Sequence, residues 1–221
     1  MDSVKIHMVS TLAGFILDAC FGDPHFLPHP VRGIGNLISL SEKGIRRLFP
    51  KTEKGELAGG ALFVLLVLGI TAALSFGLWY AAAAAGNTAL FLAESVMVYF
   101  LLAARSLRDE SMRVYYSLRN GDVEEARRNV SMIVGRDTSV LDAQGIARAA
   151  VETVAENASD GVIAPLFYLA LGGPVLGWVY KAVNTMDSMA GYKNKKYFWF
   201  GRAAARLDDA ANFLPSDRKS V

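Results

Sequence analysis

Arg148, Glu152, Glu156 and Asp160 follow one another at intervals of four, so on a helix they share one face. Arg148 with Glu152 is an ordinary ion pair. Carboxylates in succession at that spacing repel one another by roughly 0.2–0.5 kcal/mol per pair. A divalent cation or a cationic ligand group among them would relieve the repulsion. Magnesium, a hard ion with oxygen ligands, suits carboxylates beside a phosphate. A solvated helix face would carry the same residues with no ligand at all.

Other stretches hold polar residues that a purely structural chain does not need. In 22–32 (GDPHFLPHPVR) three prolines fix the backbone and hold Asp23, His29 and Arg32 in place. The same stretch would also serve as a rigid turn at a membrane edge. Its two histidines have no cysteine cluster or helical partner, which argues against zinc. In 135–138, Arg136 and Asp137 lie beside a hydroxyl at a helix start, where free backbone N–H groups favour an anion. A plain linking turn has the same composition. In 184–194 and 201–212, Arg206 with Asp209 and Asp208 with Asn212 are helical neighbours, and alanines between them permit close packing.

The elements that must position these residues are apolar blocks. Of the 221 residues 52% are hydrophobic and the mean hydropathy is +0.28, above the range of most soluble domains. Residues 8–22 form a short apolar segment carrying Asp18; 58–85 contain no charge; 88–104 are apolar except for Glu94; 161–180 have Gly172-Gly173-Pro174 near their middle. A membrane-crossing helix takes about 20 apolar residues. The pattern predicts an all-α, polytopic helical membrane protein, a single domain over 1–221, with amphipathic helices outside the lipid. Gly86-Asn87 makes a hairpin of the second and third segments. A short helix is expected near 31–48. Arg105, Arg108, Arg113 and Arg119 extend the third segment into water as far as Asn120. Asp122 with Glu125 then opens a helix closed by Gly135, and Ser139 with Asp142 opens another reaching Asn157. A net charge of only +2 gives no sign of a nucleic-acid partner, and the single Cys20 cannot support a disulfide framework. The first segment lacks a cleavage site before Gly22 and reads as retained.

The segments GDPHFLPHPVRGIGNLI, GRDTSVLDAQGIARAAVETVAENASDGVIAPLFYLALGGP, YKAVNTMDSMAGYKN and FGRAAARLDDAANFLP together strongly resemble the CobD/CbiB family of cobalamin biosynthesis, the adenosylcobinamide-phosphate synthases. The likeness runs from about residue 10 to residue 215. It implies a membrane-embedded, ATP-dependent ligase joining adenosylcobyric acid to aminopropanol or its phosphate through an amide bond, with ATP and Mg2+ as cofactors. It further implies catalytic roles for Glu152, Glu156, Asp160 and Asp187, and metal ligation by Asp208 and Asp209. Substrate binding would fall to Asp23, His29, Arg32, Arg136, Asp137, Asn157, Asn184, Tyr192, Arg202, Arg206 and Asn212. His25 falls where the family varies. No G-x-x-x-x-G-K-S/T loop occurs, so a nucleotide site would not be of the Walker type. Family members usually continue past 215 into further apolar helices, so the chain looks truncated. A transporter using the intramembrane acids Asp18 and Glu94, or a non-catalytic corrinoid-handling scaffold, are the competing readings.

Basic loops mark the cytoplasmic side. Residues 23–57, the eight arginines of 105–160 and the lysines and arginines after 180 therefore predict one shared cytoplasmic face in the inner membrane. That requires 161–180 to dip into the membrane and return, which a Gly-Gly-Pro break permits if protein shields the backbone. Membrane lipid and other cobalamin-biosynthesis membrane enzymes are the expected neighbours.

Overall fold

A computed structural model describes residues 3–24, 28–135 and 137–216, and every regular element among them is helical. In chain order these are α1 (Ser3–Phe21), α2 (Pro30–Leu48), α3 (Glu53–Ala85), α4 (Asn87–Tyr99), α5 (Ala104–Arg119), α6 (Val123–Ser131), α7 (Ala143–Ala158), a π-turn (Ser159–Ile163), α8 (Ala164–Ala190) and α9 (Arg202–Ser216). Four stretches are long and apolar enough to cross a membrane: Ser3–Phe21, Glu53–Ala85, Asn87–Arg119 and Ala143–Ala190. Leu12, Leu65 and Leu74 stand exposed on their outer faces, the surface that lipid requires. The chain is an all-α membrane protein.

Caps explain several boundaries. Thr52 Oγ1 accepts from Gly55 N at 3.2 Å and starts α3 five residues before the uncharged block. Asp122 and Asp142 cap α6 and α7 by accepting from Glu125 N and Gly145 N, so Asp142 rather than Ser139 opens α7. α6 ends at Ser131, short of Gly135. The third apolar segment does not run unbroken to Asn120. It breaks over 100–103, where Ala103 N donates to Gly161 O and Ala104 N to Asp18 Oδ2 at 2.9 Å. Asp18, fully buried, is thus the cap of α5.

The main core gathers Phe63, Val67, Val98, Leu101, Leu169, Met186 and Phe200 from α3, α4, the break that follows it, α8 and the turn before α9. A smaller one, Val114, Ala126, Val130, Ile146 and Ala149, ties α5, α6 and α7 together.

α8 reverses direction. Tyr168 stacks on Tyr180 with centroids 4.8 Å apart, and Asn184 Nδ2 donates to Asp160 Oδ2 at 3.1 Å. Twelve residues of straight helix would separate the two rings by about 18 Å. The turn lies at Gly172 (φ −148°, ψ 23°) and Gly173 (φ 66°, ψ −166°), the latter a conformation almost confined to glycine. Pro174 brings no N–H, so the last carbonyls of the first half lack helical donors. His7 Nε2 of α1 donates to one of them, Leu169 O, at 3.0 Å. Its Nδ1 lies 3.3 Å from Glu94 Oε2 in α4, and Trp79 Nε1 of α3 donates to Glu94 Oε1 at 2.7 Å. Glu94 is 3% exposed.

Candidate functional site

Because α8 turns back, its two ends open on the same side as the proline loop and α5, and two cavities form there. The larger, about 450 Å³, is lined by Asp23, His29 and Arg32 from the loop and the start of α2, by α5, and by Lys181 of α8. The smaller, about 210 Å³, is lined by Asn157 and Asp160, by Asn184 and Lys181 of α8, and by Ser106 and Glu110 of α5.

His29 ends the proline loop as the cap of α2, its Nδ1 accepting from Val31 N at 3.2 Å. The hydrogen of the neutral ring is therefore on Nε2, which lies 3.2 Å from Asp23 Oδ1. Ser106 Oγ donates to Asp23 Oδ2 at 2.8 Å. Burial alone would raise the Asp23 pKa. The bonds from His29 and Ser106, with the nearby charge of Lys181, outweigh it and hold this carboxyl below the usual range. Asp23 is an anion at neutral pH.

The acidic face divides. Glu152 accepts from Arg148 Nε at 3.1 Å on an exposed surface, and Glu156 is also exposed. Asp160 sits in the π-turn, where the wider winding shifts the residues that follow out of α-helical phase. It is half-buried, bonded to Asn184 and faces the smaller cavity.

Behind Asn184 lies a buried polar chain. Tyr180 OH donates to Asn212 Oδ1 at 2.8 Å, and Asn212 Nδ2 donates to Asp208 Oδ2 at 2.9 Å. Asp208 is 7% exposed. Burial first, then the charges of Asp187 and Asp160, push its pKa up to about 6 against the opposing bonds from Asn212 and Asn184. A carboxyl whose folded pKa exceeds its unfolded one binds its proton more tightly when folded, so stability falls as pH rises through about 4 to 6 and then levels. Asp208→Asn is expected to remove that slope and to raise stability at pH 7 by about 1–3 kcal/mol. Thermal unfolding in detergent at pH 4.5 and 7 measures it; a variant no more stable than the parent at pH 7 would count against an ionisation penalty.

Asp209, next to Asp208 on α9, is exposed while Asp208 is buried, so the two do not converge on one ion. Among the described residues no three His, Cys, Asp or Glu side chains converge to hold a metal. The pair does not fit magnesium ligation. Asp187 lies near Asp208, its carbonyl accepting from Gly191 N at 2.7 Å. Tyr192 and Arg206 are exposed, and Arg202, also exposed, lies over the Trp199 ring. Asp137 Oδ1 accepts from Ser139 N in an exposed turn, and Arg136 lies outside the described residues. The structure thus joins Asp23, His29, Arg32, Asn157, Asp160 and Asn184 at the cavities, with Asp187, Asp208 and Asn212 behind them. It leaves Glu152, Glu156, Asp137, Tyr192, Arg202, Arg206 and Asp209 on exposed surfaces. Ser106, Glu110 and Lys181 were not legible as site residues. Lys181 reads in sequence as one more basic residue of the tail, and only the reversal of α8 brings it opposite Asp160.

Residues 11–218 match the family model described as CobD/Cbib protein. The chain is 50% identical over 205 residues to a protein of Geobacter metallireducens named cobalamin biosynthesis protein CobD, covering 93% of this chain and 63% of that one. Proteins of the same name are 47% identical in Photorhabdus laumondii (95% of this chain, 65% of the relative) and 48% identical in Listeria monocytogenes (92% and 64%). The chain therefore spans 63–65% of the length of these curated relatives. No solved structure matches it. With a family model covering nearly all of its residues, including both cavities, the chain belongs to the CobD/Cbib family.

Proposed function

We propose that this protein acts in cobalamin biosynthesis as an adenosylcobinamide-phosphate synthase, condensing the carboxylate of adenosylcobyric acid with the amine of aminopropanol or its phosphate. The observation that carries this reading is the pair of adjoining polar cavities at the open end of the α8 hairpin. Amide formation brings an anion and an amine together, needs the amine unprotonated, and develops negative charge on the acyl oxygen. Arg32 and Lys181 supply cationic groups for the acid, and Asp160 a carboxylate within reach of an amine in the smaller cavity. Asp23, held ionised, is too weak a base for an alkylammonium and belongs to binding. ATP, which the family likeness implies, would activate the carboxyl group for the condensation; among the described residues no three carboxylates converge to hold Mg2+. Transport along the intramembrane acids finds both committed elsewhere: Asp18 caps α5, and Glu94 holds His7 and Trp79.

Expression in cells deleted for their own family member tests the reading. Cobyric acid should fall and a cobinamide-level product appear. Unchanged cobyric acid with the protein present in the membrane would overturn it.

The cavities belong, on this proposal, to the cytoplasmic face of the inner membrane. In a Cys20→Ser background, Lys51→Cys and Ser188→Cys should resist an impermeant thiol reagent in intact cells, whereas Asn87→Cys at the hairpin turn should react. All three parent residues are exposed except for the lipid around them. The opposite labelling pattern would invert the orientation.

A further inference from the structure

The wall between the two cavities is built from Ala103, Ser106, Glu110 and Lys181. Lys181 lies in that wall, with Asp23 in the lining on the larger side and Asp160 in the lining on the smaller side. The two linings differ in charge balance and in size. In the larger cavity Arg105 is bonded to Asp109 at 2.7 Å and Arg113 to Glu110 at 3.0 Å, which leaves Arg32 and Lys181 to set against Asp23. In the smaller cavity Glu110 is held by that same Arg113, and Asp160 lies opposite Lys181. At 210 Å³ the smaller cavity holds roughly seven water-sized volumes, room for a small amino alcohol and far too little for a corrinoid or a nucleotide.

We propose that the smaller cavity is the amine subsite and that Lys181 binds the acyl oxygen at the point where the two substrates meet. The assignment rests on the amide-forming reading above. A primary ammonium is received by Asp160, while Asn157 and Asn184 offer hydrogen bonds to its hydroxyl or phosphate oxygens. The carboxyl group enters from the larger cavity and places an oxygen against the Lys181 ammonium. From there Lys181 acts on both reactants. As an ammonium it stabilises the negative charge that develops on the acyl oxygen, and that charge disfavours the protonated form of the neighbouring amine. The carboxyl group would first be activated by phosphoryl transfer from ATP; the C–N bond then forms as the C–O bond to that phosphate breaks, phosphate leaves with the oxygen, and the proton that the amine loses passes to the Asp160 carboxylate.

The test uses the full chain purified in detergent. Calorimetry follows binding of 1-aminopropan-2-ol and its phosphate ester, with isopropyl phosphate as the analogue lacking the amine. Asp160→Asn should weaken both amines by about tenfold or more and leave isopropyl phosphate unchanged. Lys181→Gln should leave amine binding intact or tighter, because it removes a like charge. In turnover it should raise the KM of the acid and lower kcat while the amine KM stays put, and Lys181→Arg should recover part of the loss. A parent chain that makes the amide, with amine binding indifferent to Asp160→Asn and acid kinetics indifferent to Lys181→Gln, overturns this assignment alone. A parent chain that makes no amide overturns the functional reading, and this one with it.

Discussion

Asp160→Asn is expected to lower product formation about 100-fold or more, the usual loss when a proton acceptor is removed, while Glu152→Gln keeps activity within about twofold, as befits a change worth no more than about 0.5 kcal/mol on an exposed face. Spacing alone groups Glu152, Glu156 and Asp160 on one face and predicts loss in all three. The structure ranks them instead. Glu152 shares an exposed ion pair with Arg148, Glu156 is exposed, and Asp160 enters the smaller cavity beside Asn184. Conversion of cobyric acid, normalised to the protein in the membrane, measures these two variants and Glu156→Gln side by side. Equal and complete loss in all of them would restore the single-face reading and send the site back onto α7.

The second large effect is on folding. Gly60→Val is expected to destabilise the protein by about 3 kcal/mol or more, since overpacking against backbone cannot be relieved by a rotamer change. A Cβ at Gly60 would stand 2.1 Å from Phe200 O and 3.0 Å from Phe200 C. Phe200 cannot withdraw easily. Its ring packs on Phe63 at 5.2 Å and lies beneath the Arg46 guanidinium at 4.1 Å, and its turn joins α8 to α9. Gly69→Ala on the same helix is the control: a Cβ there meets nothing within 4 Å, and alanine favours the helix by about 1 kcal/mol. Thermal unfolding in detergent should separate the two widely. A Gly60→Val protein that melts with the parent would mean that α3 does not touch the turn before α9.

Features decided within a few residues were readable in sequence. The cap Asp122 and the Gly86 turn rest on local chemistry and are where the residue types place them, while α2 starts one residue before 31 and α7 opens at Asp142, three residues after Ser139. The Gly172-Gly173-Pro174 triplet marks a helix break, and the chain turns there. Features set by distant partners were not readable. The break over 100–103 depends on Asp18 and on Gly161, far away in sequence, whereas Arg105 to Arg119 continue a helical pattern without interruption. The division of the acidic face follows a π-turn that four-residue spacing cannot reveal. Asp208 and Asp209 look like a pair in sequence, yet adjacent positions on a helix point about 100° apart, and one is buried while the other is exposed. Lys181 became a site residue only through the reversal of α8, which pairs positions roughly equidistant from Gly172.

The latch at the tip of that reversal settles how an acid can lie so deep among apolar helices. Leu169 O can only accept, so His7 Nε2 must carry a hydrogen. Nδ1 lies 3.3 Å from Glu94 Oε2, and Trp79 Nε1 donates to Glu94 Oε1. The acid thus meets polar partners from two other helices instead of hydrocarbon, and the same contacts tie α1, α3 and α4 to the tip of α8, so a side chain that would be costly against lipid becomes the knot of the bundle.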